Sequence, residues 1–203
     1  MGKIISPAPV KLFVGVLVSD RPYFKAVVEK LTSLFGAIDL TTADEGIPFT
    51  FTDYYAAEMG ANIRRFFLSF DKLIKPDSIA EIKIRTNELE EAIAREVKSA
   101  PHLSLEPGRS RSSGQERSAL PRPINLDPGY LTAGKIILAT TKDYAHRIYI
   151  KDGIYAEITL QYRSGQEGAR GWTALPWTYP DYRTKEYLDF FERMRKIYLS
   201  QNR

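Results

Sequence analysis

Val10-Lys-Leu-Phe-Val-Gly-Val-Leu-Val18 is an almost unbroken apolar run, four of its nine residues valine, closed by Ser19-Asp20. Its length and β-branched content read as a strand. Asp20 then stands where a helix N-cap belongs, with Pro22 in the first turn. Tyr23, Val27, Val28, Leu31, Leu34 and Phe35 recur at helical spacing until Gly36 stops the helix. Further on, Phe49-Thr-Phe-Thr-Asp53 and Arg64-Arg-Phe-Phe-Leu-Ser-Phe70 read as strands. Residues 76–98 then predict a long helix with Ile79, Ile82, Leu89, Ile93 and Val97 on its apolar side.

The second half reads in the same order. Pro123-Ile-Asn-Leu126 is a short strand, and Asp127-Pro128 carries the N-cap-then-proline signal of a helix start. Tyr130, Ala133, Ile137, Leu138 and Thr141 follow at helical spacing. His146–Ile150 and Ile154–Tyr162 flank Asp152-Gly153, a dipeptide suited to a tight hairpin. A last amphipathic helix spans residues 184–200, with Tyr187, Phe190, Phe191, Met194, Ile197 and Tyr198 inward. The expected fold is α+β: an antiparallel or mixed sheet covered by helices, in one domain over residues 1–203, built from two pseudo-repeated βαββα halves. Between them, Glu106–Pro123 is rich in Ser, Arg, Pro and Gly and predicts a flexible loop inside the domain.

Composition narrows the function classes. The net charge is +4, yet four arginines against Glu116 in residues 107–122 account for three of those charges. A basic nucleic-acid-binding face on the folded body is therefore weakly supported. There are no cysteines, which removes thiol catalysis and cysteine-ligated metals. His102 and His146 are the only histidines, so no metal site is expected. The chain lacks GxxxxGK[ST], GxGxxG after a strand, GxSxG and HExxH, and no motif names a cofactor. No apolar run approaches membrane-spanning length, and no secretory leader is read at the N-terminus.

The candidate chemistry lies on the second-half hairpin. A two-residue Asp152-Gly153 turn pairs Lys151 with Ile154, Ile148 with Glu157 and His146 with Thr159. Alternation then places His146, Tyr155, Glu157, Thr159 and Gln161 on one face, with Tyr149, Ala156, Ile158 and Leu160 toward the core. His146 and Glu157 become diagonal neighbours, and a carboxylate beside a histidine orients the ring as a general base. Candidate ligand-binding residues around this pair are Arg147, Lys142, Asp127, Asn125, Arg64, Arg65 and Trp177. Lys142 would lie at a helix C-terminus, Asn125 and Asp127 at a strand-to-helix turn, and Arg64 and Arg65 on opposite faces of a strand.

Five strings carry a resemblance: Pro9–Gly15, Phe49–Tyr55, Asn125–Leu131, Thr140–Tyr149 and Leu175–Tyr182. Together they resemble the prokaryotic domain-of-unknown-function family 4416, over nearly the whole chain outside the Ser/Arg-rich loop. The resemblance implies a cytoplasmic prokaryotic protein and brings no activity or catalytic residue with it. Three readings stand. The first is a small-anion or nucleotide-like ligand protein, a hydrolase or transferase centred on His146 and Glu157. The second is an RNA- or ribosome-associated module, and the third a non-catalytic homo-oligomeric interaction protein. The oligomeric state is not read from the sequence.

Overall fold

The computed structural model describes residues 2–52, 55–99, 121–164 and 170–202. Val10–Val18 is strand β1, as its composition predicts. Leu12, Val14, Val16 and Val18 face one side and Phe13 and Leu17 the other, and all are buried. Burial on both faces is why the run does not alternate polar with apolar.

Helix α1 (Arg21–Phe35) ends at Gly36, whose positive φ of 99° suits glycine. Strands β2 (Ile38–Thr41) and β3 (Ile47–Pro48), a single helical turn α2 (Ala56–Met59) and strand β4 (Arg64–Ile74) follow. A 3₁₀ turn at residues 76–78 opens helix α3 (Ile79–Ser99). The second half holds β5 (Ile124–Leu131), β6 (Lys135–Thr140), β7 (Ile148–Lys151), β8 (Ile154–Ser164), β9 (Arg170–Ala174) and α4 (Lys185–Gln201). Among the described residues these nine strands form one antiparallel sheet in the order β2-β4-β1-β5-β6-β8-β7, with β3 against β4 and β9 against β8. Helices α1 and α3 cover one face through Val27, Leu31, Ile79, Ile82 and Ile93. Helix α4 covers the other through Tyr187, Phe190, Phe191 and Met194. The chain is thus an α+β protein with helices on both sides of its sheet.

Three expectations are corrected. Asp127-Pro128 does not start a helix; it lies within β5, and Ile137 and Leu138 belong to β6. Proline is tolerated because β5 alternates its backbone groups. The N–H and C=O of Leu126 point away from β1, and Pro128, two residues on, directs its proton-less nitrogen the same way. On that side β6 pairs only from Gly129 onward. The side chains of α3 fill the gap: Glu90 accepts from Leu126 N–H at 2.7 Å, and the Lys83 ammonium donates to Leu126 C=O at 2.8 Å. With no helix after β5, the two halves do not repeat one element order, and the duplication expectation fails.

The expected strand at Phe49–Asp53 is also absent as far as Thr52, and Asp53 lies outside the described residues. Phe49 donates its N–H to Ile63 C=O and turns its ring onto Phe51 and Tyr55, leaving the ladder. The Ser/Arg-rich loop lies outside the described residues up to position 120.

Gly129 shows how tightly β5 and β6 are joined. A Cβ there would lie 2.4 Å from the Ile137 carbonyl oxygen and 2.6 Å from Phe13 Cζ. A backbone oxygen in a paired strand cannot move aside cheaply. Gly129→Ala is therefore expected to cost about 3 kcal/mol in urea unfolding, at the upper end for overpacking; a cost under about 0.5 kcal/mol would mean the strands separate freely here.

Candidate functional site

Asp152 and Gly153, at φ 52° and 76°, form the predicted two-residue turn, and Lys151 pairs with Ile154. The register then departs from expectation. An irregularity at Ile150 shifts the ladder, so Ile148 pairs with Ala156 rather than Glu157, and Tyr149 with Tyr155. Tyr149 and Tyr155 therefore share a face, ring centres 5.4 Å apart, and Tyr149 is exposed rather than turned to the core. His146 does not pair with Thr159 but sits in the turn before β7. A second irregularity, between Ile136 and Ile137 of β6, leaves Thr159 out of the β8 ladder.

His146 and Glu157 meet nonetheless. Nε2 of His146 lies 3.1 Å from Glu157 Oε2, and Nε of Arg147 donates to the same oxygen at 2.7 Å. Thr159 Oγ1 reaches Oε1 at 3.4 Å. Glu157 is paired with Leu138 of β6 and so faces the α4 side, where its side chain is buried to 2% exposure. The expected polar face of the hairpin is in fact covered, and residues 175–183 cover it. Trp177 donates its indole N–H to Ile158 C=O and Thr178 its hydroxyl to Thr159 C=O. These bonds fill the outer edge of β8 between β7 and β9 with side-chain donors. Trp177 also stacks on the His146 ring, centres 5.4 Å apart and planes at 14°. His146 is thus clamped between an indole and a buried carboxylate while keeping 22% of its side chain exposed. An ionised carboxylate only accepts, so Nε2 is the donor to Glu157, and in the neutral ring the lone pair lies on Nδ1. Arg147 lies over the Tyr144 ring, 4.4 Å to its centre, and donates to the Lys142 carbonyl at 3.1 Å and toward Thr140 Oγ1 at 3.5 Å. No helix precedes Lys142, contrary to expectation: β6 ends at Thr140 and a short loop follows.

The remaining expected residues divide. Arg64 and Arg65 do point to opposite faces. Arg64 is exposed, bonds to Gly46 C=O at 3.2 Å, and borders an open cleft of about 260 Å³ between the end of β1, the start of α1 and Asp44–Glu45. Arg65 is buried at 4% exposure on the α4 face. It reaches across Gly15 of β1, where a Cβ would stand 2.9 Å from its Nη1, to Asp127 on β5 at 2.9 Å. Asn125 donates to the same Asp127 oxygen at 2.8 Å and accepts from Arg122, which also donates to Glu90 at 3.0 Å. Asn125 and Asp127 are mid-strand, so the expected anion site at a helix N-terminus there does not exist.

Charge partners set the electrostatics of this second cluster. Burial alone would raise the Asp127 pKa, but Arg65 and Lys83 pull it below the ordinary aspartate value. Burial opposes the charge on Arg65, yet Asp127 first, with Tyr187, Tyr182 and Asp181, together outweigh it and raise its pKa. Asp181, with Oδ2 3.8 Å from Arg65 Nη2, is pushed up by burial, as is Glu90. Burial drives the Tyr55 hydroxyl to about 12 and the Tyr182 hydroxyl well above its ordinary value. Arg122, Glu90, Asp181, Tyr182 and Tyr187 were not foreseen as site residues. One signal pointed to them: Gly15 inside a valine-rich strand marks a close approach of another group.

The His146–Glu157 and Arg65–Asp127 clusters lie on the same sheet face, and residues 175–183 contribute Trp177 to the first and Asp181 to the second. Among the described residues no three His, Asp or Glu side chains group to hold a metal, and no helix is long and apolar enough to cross a membrane. Two polar clusters on the covered face of an antiparallel α+β sheet define the class of protein. The chain belongs to the family described as domain of unknown function (DUF4416), whose model matches residues 8–198. No curated protein and no solved structure matches it.

Proposed function

We propose that this protein binds a small phosphorylated or nucleotide-like anion beside His146, and that His146 acts there as general base in hydrolysis or group transfer. The observation that supports this is the clamp on the ring: Glu157 at 3.1 Å on Nε2 and Trp177 stacked on its face. Together they leave Nδ1 as the basic atom. Arg147 balances the buried Glu157 carboxylate at 2.7 Å, so that carboxylate does not repel an anion beside the ring. The indole, 39% exposed, offers a surface for a planar base.

Calorimetric titration with inorganic phosphate, AMP and GMP tests the reading. Saturable binding of at least one probe is expected, weakened about tenfold or more in His146→Ala, as loss of one charge-assisted contact implies. Equal affinity in the wild type and His146→Ala, or no binding of any probe, would sink it.

A further inference from the structure

The second cluster contains polar atoms that its own hydrogen bonds do not use. Arg65 Nε, Tyr182 Oη and Tyr187 Oη are each buried with no hydrogen-bond partner. They belong to one place. The Tyr182 and Tyr187 rings are 5.5 Å apart at 86°, and both pack on Phe67, with centres 5.9 and 4.7 Å away. The Arg65 guanidinium lies over the same Phe67 ring at 5.8 Å. A buried donor left unmatched costs about 1–3 kcal/mol, so three around one aromatic ring call for an occupant.

The guanidinium indicates which kind. Its Nη1 is taken by Asp127 at 2.9 Å. Its other edge, Nε with Nη2, is only loosely met: Nε makes no hydrogen bond, Asp181 Oδ2 pairs with Nη2 at 3.8 Å, and the Tyr187 hydroxyl lies against the guanidinium. That edge presents two parallel N–H groups, the fork that matches the two oxygens of a carboxylate. A dianion would be costlier to dehydrate against Phe67, Phe190 and Phe191, whose rings surround this spot.

We infer that the Nε–Nη2 edge of Arg65, with the hydroxyls of Tyr182 and Tyr187, forms a binding site for the carboxylate of a small monoanion. This site is separate from the one at His146. Tyr182→Phe and Tyr187→Phe are the informative variants, because deleting an unmatched buried hydroxyl does not threaten folding. Sodium acetate is the probe, with sodium chloride at equal ionic strength as control. Acetate at about 100-fold excess over its dissociation constant is expected to raise the wild-type Tm by roughly 5–10 °C, with chloride giving no saturable shift. Each Tyr→Phe variant should need about tenfold more acetate for the same shift, as for a hydrogen bond to a charged group. His146→Ala should respond like the wild type, which separates this inference from the proposal above. Identical acetate curves for the wild type and both Phe variants, or an effect matched by chloride, would overturn it. So would the absence of any shift, which would assign the three groups to internal water only.

Discussion

Arg65→Met is expected to lower stability by about 3–4 kcal/mol at neutral pH, read by urea or guanidinium unfolding, because it strands a buried charge partner. Arg65 is the foremost of the cations that hold Asp127 ionised, and among the described residues no other cationic side chain hydrogen-bonds to it. Removing the guanidinium leaves Asn125 as the hydrogen-bond donor to that carboxylate, with Lys83 and Arg122 acting on it only at longer range. It also strips the cation from the faces of Phe49 and Phe67. The cost comes from breaking the pair, so Arg65→Met combined with Asp127→Leu should recover much of it. A single variant within about 1 kcal/mol of the wild type would show that water reaches Asp127 freely.

The pH dependence has a definite sign. Asp127 titrates below its ordinary value in the folded chain, so its contribution is fully present above about pH 4 and is lost as the pH falls through the depressed value. The gap between the wild type and Arg65→Met should therefore narrow in acid. Asp181 and Glu90, raised by burial, act in the opposite sense: their ionisation is disfavoured in the folded state, and falling pH relieves that cost. A gap that widens below pH 4 would contradict the assignment of Asp127 as the ionised partner.

Lys11→Met is the second large effect. Lys11 is fully buried in β1, and its ammonium donates to Asp39 at 2.6 Å, to Phe70 C=O at 3.0 Å and to Gln201 at 3.0 Å. These contacts tie β1 to β2, to β4 and to the last turn of α4. Asp39 also accepts from Ser69 at 2.8 Å, and Gln201 donates to Asp71 C=O at 2.8 Å, so one side chain anchors a network. Methionine fills similar volume but leaves the Phe70 carbonyl unmatched and Asp39 without its cation. The expected cost is about 2–4 kcal/mol in urea unfolding, reduced somewhat because Asp39 keeps partial access to water. Hydrogen exchange should show earlier opening of the α4 C-terminus. An unfolding midpoint unchanged from the wild type would rule out the anchoring role.

Legibility followed how local each signal was. The valines of β1, the apolar spacing of α1, α3 and α4, and the Asp152-Gly153 turn each reflect a preference settled within a few residues, and all appear in the structure. The meeting of His146 with Glu157 was legible because a tight turn brings its flanks together whatever the finer register. The route to that meeting was not legible, since the irregularity at Ile150 depends on what packs around the hairpin.

Asp127-Pro128 marks the boundary. Its local chemistry favours a helix start, and nothing within ten residues says otherwise. The strand is chosen because β1 pairs with it along its whole length and α3 supplies Lys83 and Glu90 to the side where proline has no N–H to offer. Arg65 was visible only as one of two adjacent arginines on opposite faces. Its burial, its reach over Gly15 and its partners Asp127 and Asp181 come from three separate stretches of chain. By itself the sequence determined the family, the α+β class and the elements whose residues agree with their neighbours. Only the tertiary structure decided which charges are buried and what they face, because a buried charge is held by partners distant in sequence that only the fold brings within reach.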